Sequence, residues 1–88
     1  MISRKVTIQN SVGLHARPAT FFIQKANSYK SSIWVEKGDF RVSAKSLLGV
    51  LSLGIMKGTV INLIADGSDE NEAINALCDL VDSGFAEN

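Results

Sequence analysis

The chain begins with a segment in which apolar and polar side chains alternate over residues 6–9. A period of two is typical of a strand with one buried face, which predicts a first strand over about residues 2–8. From Ala19 the period changes, and apolar side chains recur three, four and seven positions later. This spacing predicts a helix that ends near residues 27–29. Phe21 falls off its apolar face, so we expect that ring to be partly exposed.

Two β-rich segments flank residues 37–39, which contain a glycine followed by an aspartate and favour a hairpin. In the first of these segments, Ile33 and Val35 share the face expected to be buried. Trp34 and Glu36 share the other face. We therefore expect Trp34 to point away from the core as an isolated surface aromatic.

A short apolar segment follows the hairpin, and it predicts a helix of roughly two turns that begins at Ser46 as its N-cap and ends at Gly54. This segment contains more apolar side chains than so short a helix can turn inward. Val50 or Leu53 is expected in the core. Leu47, Leu48 and Leu51, or some of them, are expected at the surface.

The remaining chain predicts a last strand over residues 59–67 and a last helix that begins at Ser68 as N-cap. Asp69 and Glu70 fit the first turn of that helix, and its expected buried stripe is Ile74, Leu77, Leu80 and Val81. The element order β-α-β-β-α-β-α predicts an α+β fold. We expect an open-faced β-sandwich, a four-stranded antiparallel sheet with three helices on one face.

With 88 residues and an apolar content of 45%, the chain is expected to form one domain over residues 1–88. No segment has the apolar length of a membrane helix or a secretory signal, so we expect a cytoplasmic protein without membrane insertion. The single cysteine, Cys78, excludes an internal disulfide and is expected to be a small apolar residue on a helix. One histidine gives no metal-ligand pattern, and no cofactor motif is present.

The formal charges cancel, but all nine Lys and Arg residues lie between Arg4 and Lys57, and residues 58–88 hold seven acids and no base. Such asymmetry favours docking to acidic protein surfaces. The basic residues are spread out and no aromatic-basic motif accompanies them, which argues against nucleic acid as a partner.

The only histidine, His15, lies in the segment Gly-Leu-His-Ala-Arg-Pro-Ala. Gly13 permits a sharp turn, and Pro18 suits a first helical turn, where its missing N–H costs nothing. The free amides of Ala16 and Arg17, at the positive end of the helix dipole, predict an anion site beside His15.

Arg17 is unfavourable near that positive end unless a multiply charged anion binds there, and a guanidinium binds phosphate in a forked geometry. The same field is expected to lower the pKa of His15, so that the neutral imidazole can accept a phosphoryl group. The alternative, that His15 is an ordinary surface residue and Arg17 a solvated charge, stays open on these residues alone.

Two motifs resemble those of a known family, HPr, the histidine-containing phosphocarrier of the phosphoenolpyruvate-dependent sugar phosphotransferase system. Residues 13–19 are similar to its active-site signature, and residues 45–54, Lys-Ser-Leu-Leu-Gly-Val-Leu-Ser-Leu-Gly, to its regulatory signature. The resemblance covers the chain. It implies that His15 accepts a phosphoryl group through Nδ1 from phosphorylated enzyme I and donates it to enzyme IIA domains. Arg17 would neutralise the charge of the phosphate.

The second motif resembles members from low-GC Gram-positive bacteria. There, the resemblance implies, Ser46 is phosphorylated by HPr kinase/phosphorylase, which weakens docking of enzyme I and creates a surface for a catabolite control protein. The exposed leucines Leu47, Leu48 and Leu51 would form the docking surface. Val12 departs from the small polar residue usual in the family, and Leu48 from its methionine or phenylalanine.

Two other functions are alternatives to a phosphocarrier. The first is a regulatory HPr paralogue that acts mainly through phosphorylated Ser46, although an intact His15 and Arg17 argue against a purely regulatory protein. A second, a free-standing hydrolase or kinase, is disfavoured because the chain has no phosphate-binding glycine loop and no triad around its one histidine. A carrier that docks with several partners in turn is expected to be a monomer.

Overall fold

A computed structural model describes residues 1–10, 13–14 and 16–85, which form one sheet and three helices. The order of elements is the predicted β-α-β-β-α-β-α. The elements are β1 (Ile2–Thr7), α1 (Ala16–Asn27), β2 (Ser32–Lys37), β3 (Phe40–Ser43), α2 (Leu47–Ser52), β4 (Val60–Asp66) and α3 (Glu70–Asp82). Each predicted strand and helix is therefore present, with ends within a few residues of those expected.

The sheet has the strand order β1-β4-β2-β3, and all three neighbouring pairs are antiparallel. Its register places Val35 opposite both Leu63 on β4 and Val42 on β3. Only two residues connect β2 to β3, with Gly38 in the left-handed region at φ 58°. The hairpin predicted around residues 37–39 is confirmed.

The core lies between the sheet and the helices, and its largest members come from every layer. The largest fully buried apolar side chains are Phe22, Phe85, Ile8, Ile33, Ile61, Leu63, Ile74, Leu77, Val35, Val50 and Val81. The rings of Phe22 on α1 and Phe85 after α3 lie 6.3 Å apart at a tilt of 56°, a favourable aromatic geometry. Three residues of the predicted α3 stripe are buried, and the fourth, Leu80, is half-buried at the rim.

The face of the sheet opposite the helices differs from the expected exposed surface. Trp34 is half-buried, and Ile64, its direct partner on β4, is only 4% exposed. Both residues point away from the main core, because the flanking positions Ile33 and Leu63 point into it. The prediction of an isolated surface aromatic is therefore wrong: adjacent strands place Trp34 and Ile64 side by side, where large side chains shield each other.

The N-cap of α3 is Asp69 rather than the predicted Ser68. Its carboxylate makes no side-chain cap bond, and instead accepts hydrogen bonds from the connection between α1 and β2, at the backbone amides of Lys30 and Ser31. Glu70 supplies a local bond, since its Oε1 accepts from the amide of Gly67 at 3.1 Å. Ser68 is exposed and takes no part.

Candidate functional site

The turn that leads into α1 can be built only with glycine. Gly13 has φ 64°, and a Cβ on it would lie 2.4 Å from the carbonyl oxygen of Ile55 and 2.7 Å from Cα of Met56. The amide of Leu14 donates to the same carbonyl of Ile55 at 3.0 Å. The turn is therefore fixed against the backbone that follows α2.

Asn10 closes this turn from the side of β1. Its Nδ2 donates to the carbonyl oxygen of Gly13 at 2.7 Å, and its own carbonyl accepts from the amide of Gly13 at 3.2 Å. Asn10 is buried, so the bonds are shielded from water. Asn10 is not among the residues predicted from the sequence, although an asparagine three positions before a glycine is a recognised turn signal.

The helix expected after the histidine begins at Ala16. His15 itself lies outside the described residues, as does Val12. Pro18 is buried at the third position of α1, where the backbone N–H that proline lacks has no intrahelical acceptor. The amides of Ala16 and Arg17 belong to the same first turn, and helix geometry gives them no intrahelical acceptor either.

Arg17 is exposed, and its guanidinium carbon lies 5.7 Å from the centroid of the Phe21 ring. This distance is within the range of a cation–π interaction. Helix α1 contains no Asp or Glu, and no carboxylate of the described residues forms an ion pair with Arg17. Phe21 is half-buried, as predicted, but its contact with Arg17 was missed, although the four-residue spacing on a helix is its signal.

Ser46 is the N-cap of α2, as predicted. Its Oγ accepts a hydrogen bond from the amide of Gly49 at 3.1 Å, and its carbonyl accepts from the amide of Val50 at 3.0 Å. The Ser46 side chain is exposed, so its hydroxyl is accessible from solvent. The preceding Lys45 directs its ammonium to the carbonyl oxygen of Tyr29 at 2.8 Å.

The three leucines singled out on α2 are all exposed: Leu47 is 40%, Leu48 81% and Leu51 36% accessible. Val50 and Leu53 are buried, which is the expected division. We call Leu47, Leu48 and Leu51 together the leucine face. Helix α2 contacts α1, so the leucine face belongs to the helical side of the molecule.

Met56 is a further exposed apolar residue that the sequence analysis did not single out. It is 66% accessible, and its backbone lies against Gly13. Because the chain from α2 to Met56 packs on the turn before α1, the two sequence motifs are neighbours in space. The only sequence signal for Met56 is an apolar residue in a glycine-bounded loop.

Two features were searched for in the part of the chain that the structure describes, a membrane-spanning helix and a metal-binding cluster. No helix there is long and apolar enough to cross a membrane. Among the same residues, no group of three or more His, Cys, Asp and Glu side chains could hold a metal ion. Cys78 is buried on α3, and burial raises the pKa of its thiol, as expected for a packing residue.

The chain matches the protein family described as "PTS HPr component phosphorylation site" over residues 2–83. It is 47% identical over 87 residues to the phosphocarrier protein HPr of Neisseria meningitidis, which covers 99% of this chain and 98% of that protein. It is 46% identical over 77 residues to the HPr-like protein Crh of Halalkalibacterium halodurans, at 88% and 92% coverage.

Among solved structures, HPr-C-His from Thermoanaerobacter tengcongensis has a TM-score of 0.97 and 50% identity, and covers 100% of this chain and 99% of that one. An HPr dimer from the same organism has a TM-score of 0.80, at 99% and 100% coverage. The fold and the two motifs thus define a phosphocarrier domain. The chain belongs to the HPr family of the phosphotransferase system.

Proposed function

We propose that the chain carries a phosphoryl group on Nδ1 of His15, taking it from phosphorylated enzyme I and giving it to enzyme IIA domains. In each step the phosphorus leaves one donor atom as it bonds to the next, so the protein is a transient carrier and not a catalyst. Arg17 neutralises charge on the phosphoryl oxygens. The amides of Ala16 and Arg17 donate to those oxygens.

The observation that carries this proposal is the start of α1 at Ala16, directly after His15 in the chain, with an exposed Arg17 in its first turn. Donors in that turn lack intrahelical acceptors, and the helix dipole favours an anion beside them. A single exposed arginine suits a carrier that must release its phosphoryl group, because tight binding of the phosphorylated state would slow onward transfer.

The test is to incubate the purified protein with phosphoenolpyruvate and enzyme I, and to measure bound phosphate and its stability. A phosphohistidine is lost in acid and survives alkali, whereas a phosphoserine withstands acid. We expect one acid-labile phosphate in the wild type and in Ser46→Ala, and none in His15→Ala. An acid-stable phosphate, or none in the wild type, contradicts the carrier proposal.

A second proposal concerns Ser46, whose exposed hydroxyl is available to a kinase. We propose that HPr kinase/phosphorylase phosphorylates it and that the product binds a catabolite control protein. The new charge lies next to the leucine face, where we propose that enzyme I docks, so phosphorylation weakens that docking. We expect the kinase to transfer phosphate from ATP to the wild type but not to Ser46→Ala. We also expect the protein phosphorylated on Ser46 to have a higher KM for enzyme I than the unphosphorylated protein.

The alternative to a transport role is a mainly regulatory role. The similarity to the HPr-like protein Crh is the observation that favours this alternative. Variants of His15 and Ser46, tested in cells that depend on this chain, distinguish the transport role from the regulatory role. Loss of sugar uptake in His15→Ala indicates transport as the principal role. Altered gene expression in Ser46→Ala with unchanged uptake indicates regulation.

We propose that the protein acts as a cytoplasmic monomer and binds acidic protein surfaces rather than nucleic acid. A carrier with one docking face must expose that face to enzyme I and enzyme IIA domains in turn. Because a related HPr has been crystallised as a dimer, sedimentation at several protein concentrations is the direct test. A single species with the mass of one chain is expected, and a concentration-dependent dimer contradicts the proposal.

A further inference from the structure

The C-terminal end of α2 is held by a lysine from another element. Nζ of Lys37, the last residue of β2, donates to the carbonyl oxygen of Leu53 at 2.9 Å and lies 3.5 Å from that of Gly54. Carbonyl groups at the end of a helix have no intrahelical donors, and a cation beside them also interacts favourably with the helix dipole. Helix α2 has no basic residue in its own last turn, so Lys37 supplies that cation from β2.

Helix α2 depends on such contacts because it is only six residues long. A helix of this length is unstable in water by itself, so its ends and its buried face determine whether it forms. Ser46 caps the N-terminal end, and Val50 is buried in the core. At the other end, the bond from Lys37 to the carbonyl of Leu53 joins the last turn to the sheet.

A groove lies between this end of α2 and the hairpin of β2 and β3, and its volume is about 570 Å³. Side chains of both elements line it, among them Lys37, Phe40, Val42, Ser52 and Leu53. Leu48 lies one turn before Ser52 on the same side of α2, so the leucine face borders the groove. Burial of an exposed leucine in this groove would be favourable. The bond from Lys37 opposes it, because that bond ties the helix end to β2.

We infer that Lys37 is a positioning residue for docking, whose ammonium group fixes the C-terminal end of α2 and so keeps the leucine face exposed. The inference rests on the proposed function, in which enzyme I docks at the leucine face. Lys37 acts through the helix rather than by contact with enzyme I. Loss of its ammonium group lowers the fraction of molecules in which the leucine face is ready for docking.

The size of the effect follows from the interaction that is lost. A cation at a helix C-terminus shifts the equilibrium between the ordered and the loosened helix end by roughly two- to five-fold. A partner that needs the ordered helix binds in proportion to the ordered fraction. Lys37→Met, which keeps a long unbranched side chain without the charge, should therefore raise the KM for enzyme I by roughly two- to five-fold and leave kcat unchanged.

The test compares initial rates of phosphoryl transfer from enzyme I at several concentrations of the wild type, Lys37→Met and Lys30→Met. Lys30→Met is the matched control, since it removes the same charge from an exposed residue in the connection between α1 and β2. We expect a higher KM in Lys37→Met and a KM equal to that of the wild type in Lys30→Met. An equal rise in both variants would overturn the inference and assign the effect to net charge.

Hydrogen exchange of the unphosphorylated protein tests the helix end directly. The amides of Leu53 and Gly54 donate at 3.2 Å to the carbonyls of Val50 and Leu51. They should exchange roughly two- to five-fold faster in Lys37→Met than in the wild type, and at the wild-type rate in Lys30→Met.

Two combinations of these measurements would overturn the inference. A raised KM without faster exchange indicates direct contact between Lys37 and enzyme I. Faster exchange with an unchanged KM indicates that Lys37 has a merely structural role. If the wild type takes up no phosphate at all, the proposed function has failed and the docking role with it, while the exchange rates still show whether Lys37 holds α2.

Discussion

Asp69 binds Ser31 twice: its Oδ1 accepts the backbone N–H of Ser31 at 2.9 Å and also the side-chain hydroxyl. Its Oδ2 accepts the amide of Lys30 at 2.8 Å. One carboxylate thereby ties the start of α3 to the connection that enters β2. These hydrogen bonds, the one from the Ser31 hydroxyl first, lower the pKa of Asp69 to about 2.

The first prediction concerns stability at acid pH. Because the pKa of Asp69 is lower in the folded than in the unfolded chain, its contribution is complete above about pH 4 and is lost as the pH falls through about 2. Asp69→Asn should lower the melting temperature at neutral pH, and the difference from wild type should shrink between about pH 4 and pH 2. Thermal melts over this range measure it.

The matched control is Glu72→Gln, which removes a charge from the first turn of the same helix at an exposed side chain. It tests whether the helix dipole alone explains the effect. If Glu72→Gln destabilises the protein as much as Asp69→Asn does, the hydrogen bonds to Ser31 and Lys30 are not the cause.

A second prediction concerns Gly13, where a side chain would meet backbone atoms of Ile55 and Met56. Gly13→Ala should be destabilised beyond the left-handed penalty of about 1–2 kcal/mol, because these backbone atoms must also move. Gly38→Ala, at φ 58° and with no atom near the added methyl group, should show only that penalty. Urea unfolding of both variants gives the comparison, and equal losses would exclude a close-packing role for Gly13.

A third prediction assigns a binding role to the leucine face. Leu48→Glu should leave the melting temperature close to that of the wild type, because the side chain is 81% exposed, and should raise the KM for enzyme I by roughly ten-fold or more, as a hot-spot residue would. Leu47→Glu should act in the same direction. Initial rates of phosphoryl transfer at several concentrations of the carrier measure the effect.

The control for that experiment is Val60→Glu, which places the same charge at an exposed apolar residue of β4. Val60 belongs to the face of the sheet opposite the helices, since its neighbour Ile61 is in the core. A rise in KM of equal size in Val60→Glu would point to net charge rather than to a docking surface.

The fourth prediction compares Ser46 and Ser68, the two serines predicted from the sequence to be helix N-caps. Ser46→Ala should lose about 1 kcal/mol of unfolding free energy, since the bond from the amide of Gly49 disappears. Ser68→Ala should lose almost nothing, because Asp69 is the cap of α3. Chemical denaturation resolves the difference, and a substantial loss in Ser68→Ala would contradict this assignment.

The order of elements and the buried faces of α1, β2 and α3 could be predicted because these depend on local periodicity. The exposed leucines followed from the same reasoning, since α2 is too short to bury all of them. The role of Asp69 could not be predicted, because its partner Ser31 is 38 residues away in the chain. Ser68 carries the local cap signal, but the cap is Asp69, whose carboxylate accepts hydrogen bonds from two amides distant in the chain.

In the candidate site, too, some features could be predicted from local sequence and others depend on distant contacts. The local sequence predicts that a helix starts after His15 and that a glycine lies in the turn before it. The reason for that glycine is the carbonyl of Ile55, more than forty residues later, which no local pattern reveals. Arg17 and Phe21 lie four positions apart on a helix, so the spacing alone is enough to predict their contact.

The placement of Trp34 has a practical consequence. It is the only tryptophan, and it stands on the opposite face of the sheet from the leucine face, half-covered and beside Ile64. Its fluorescence should report global unfolding, when the sheet separates and the indole enters water, and stay silent when a partner occupies the helical side. The molecule therefore carries its own optical probe of folding, one that leaves the leucine face unlabelled and can be read during a phosphotransfer assay.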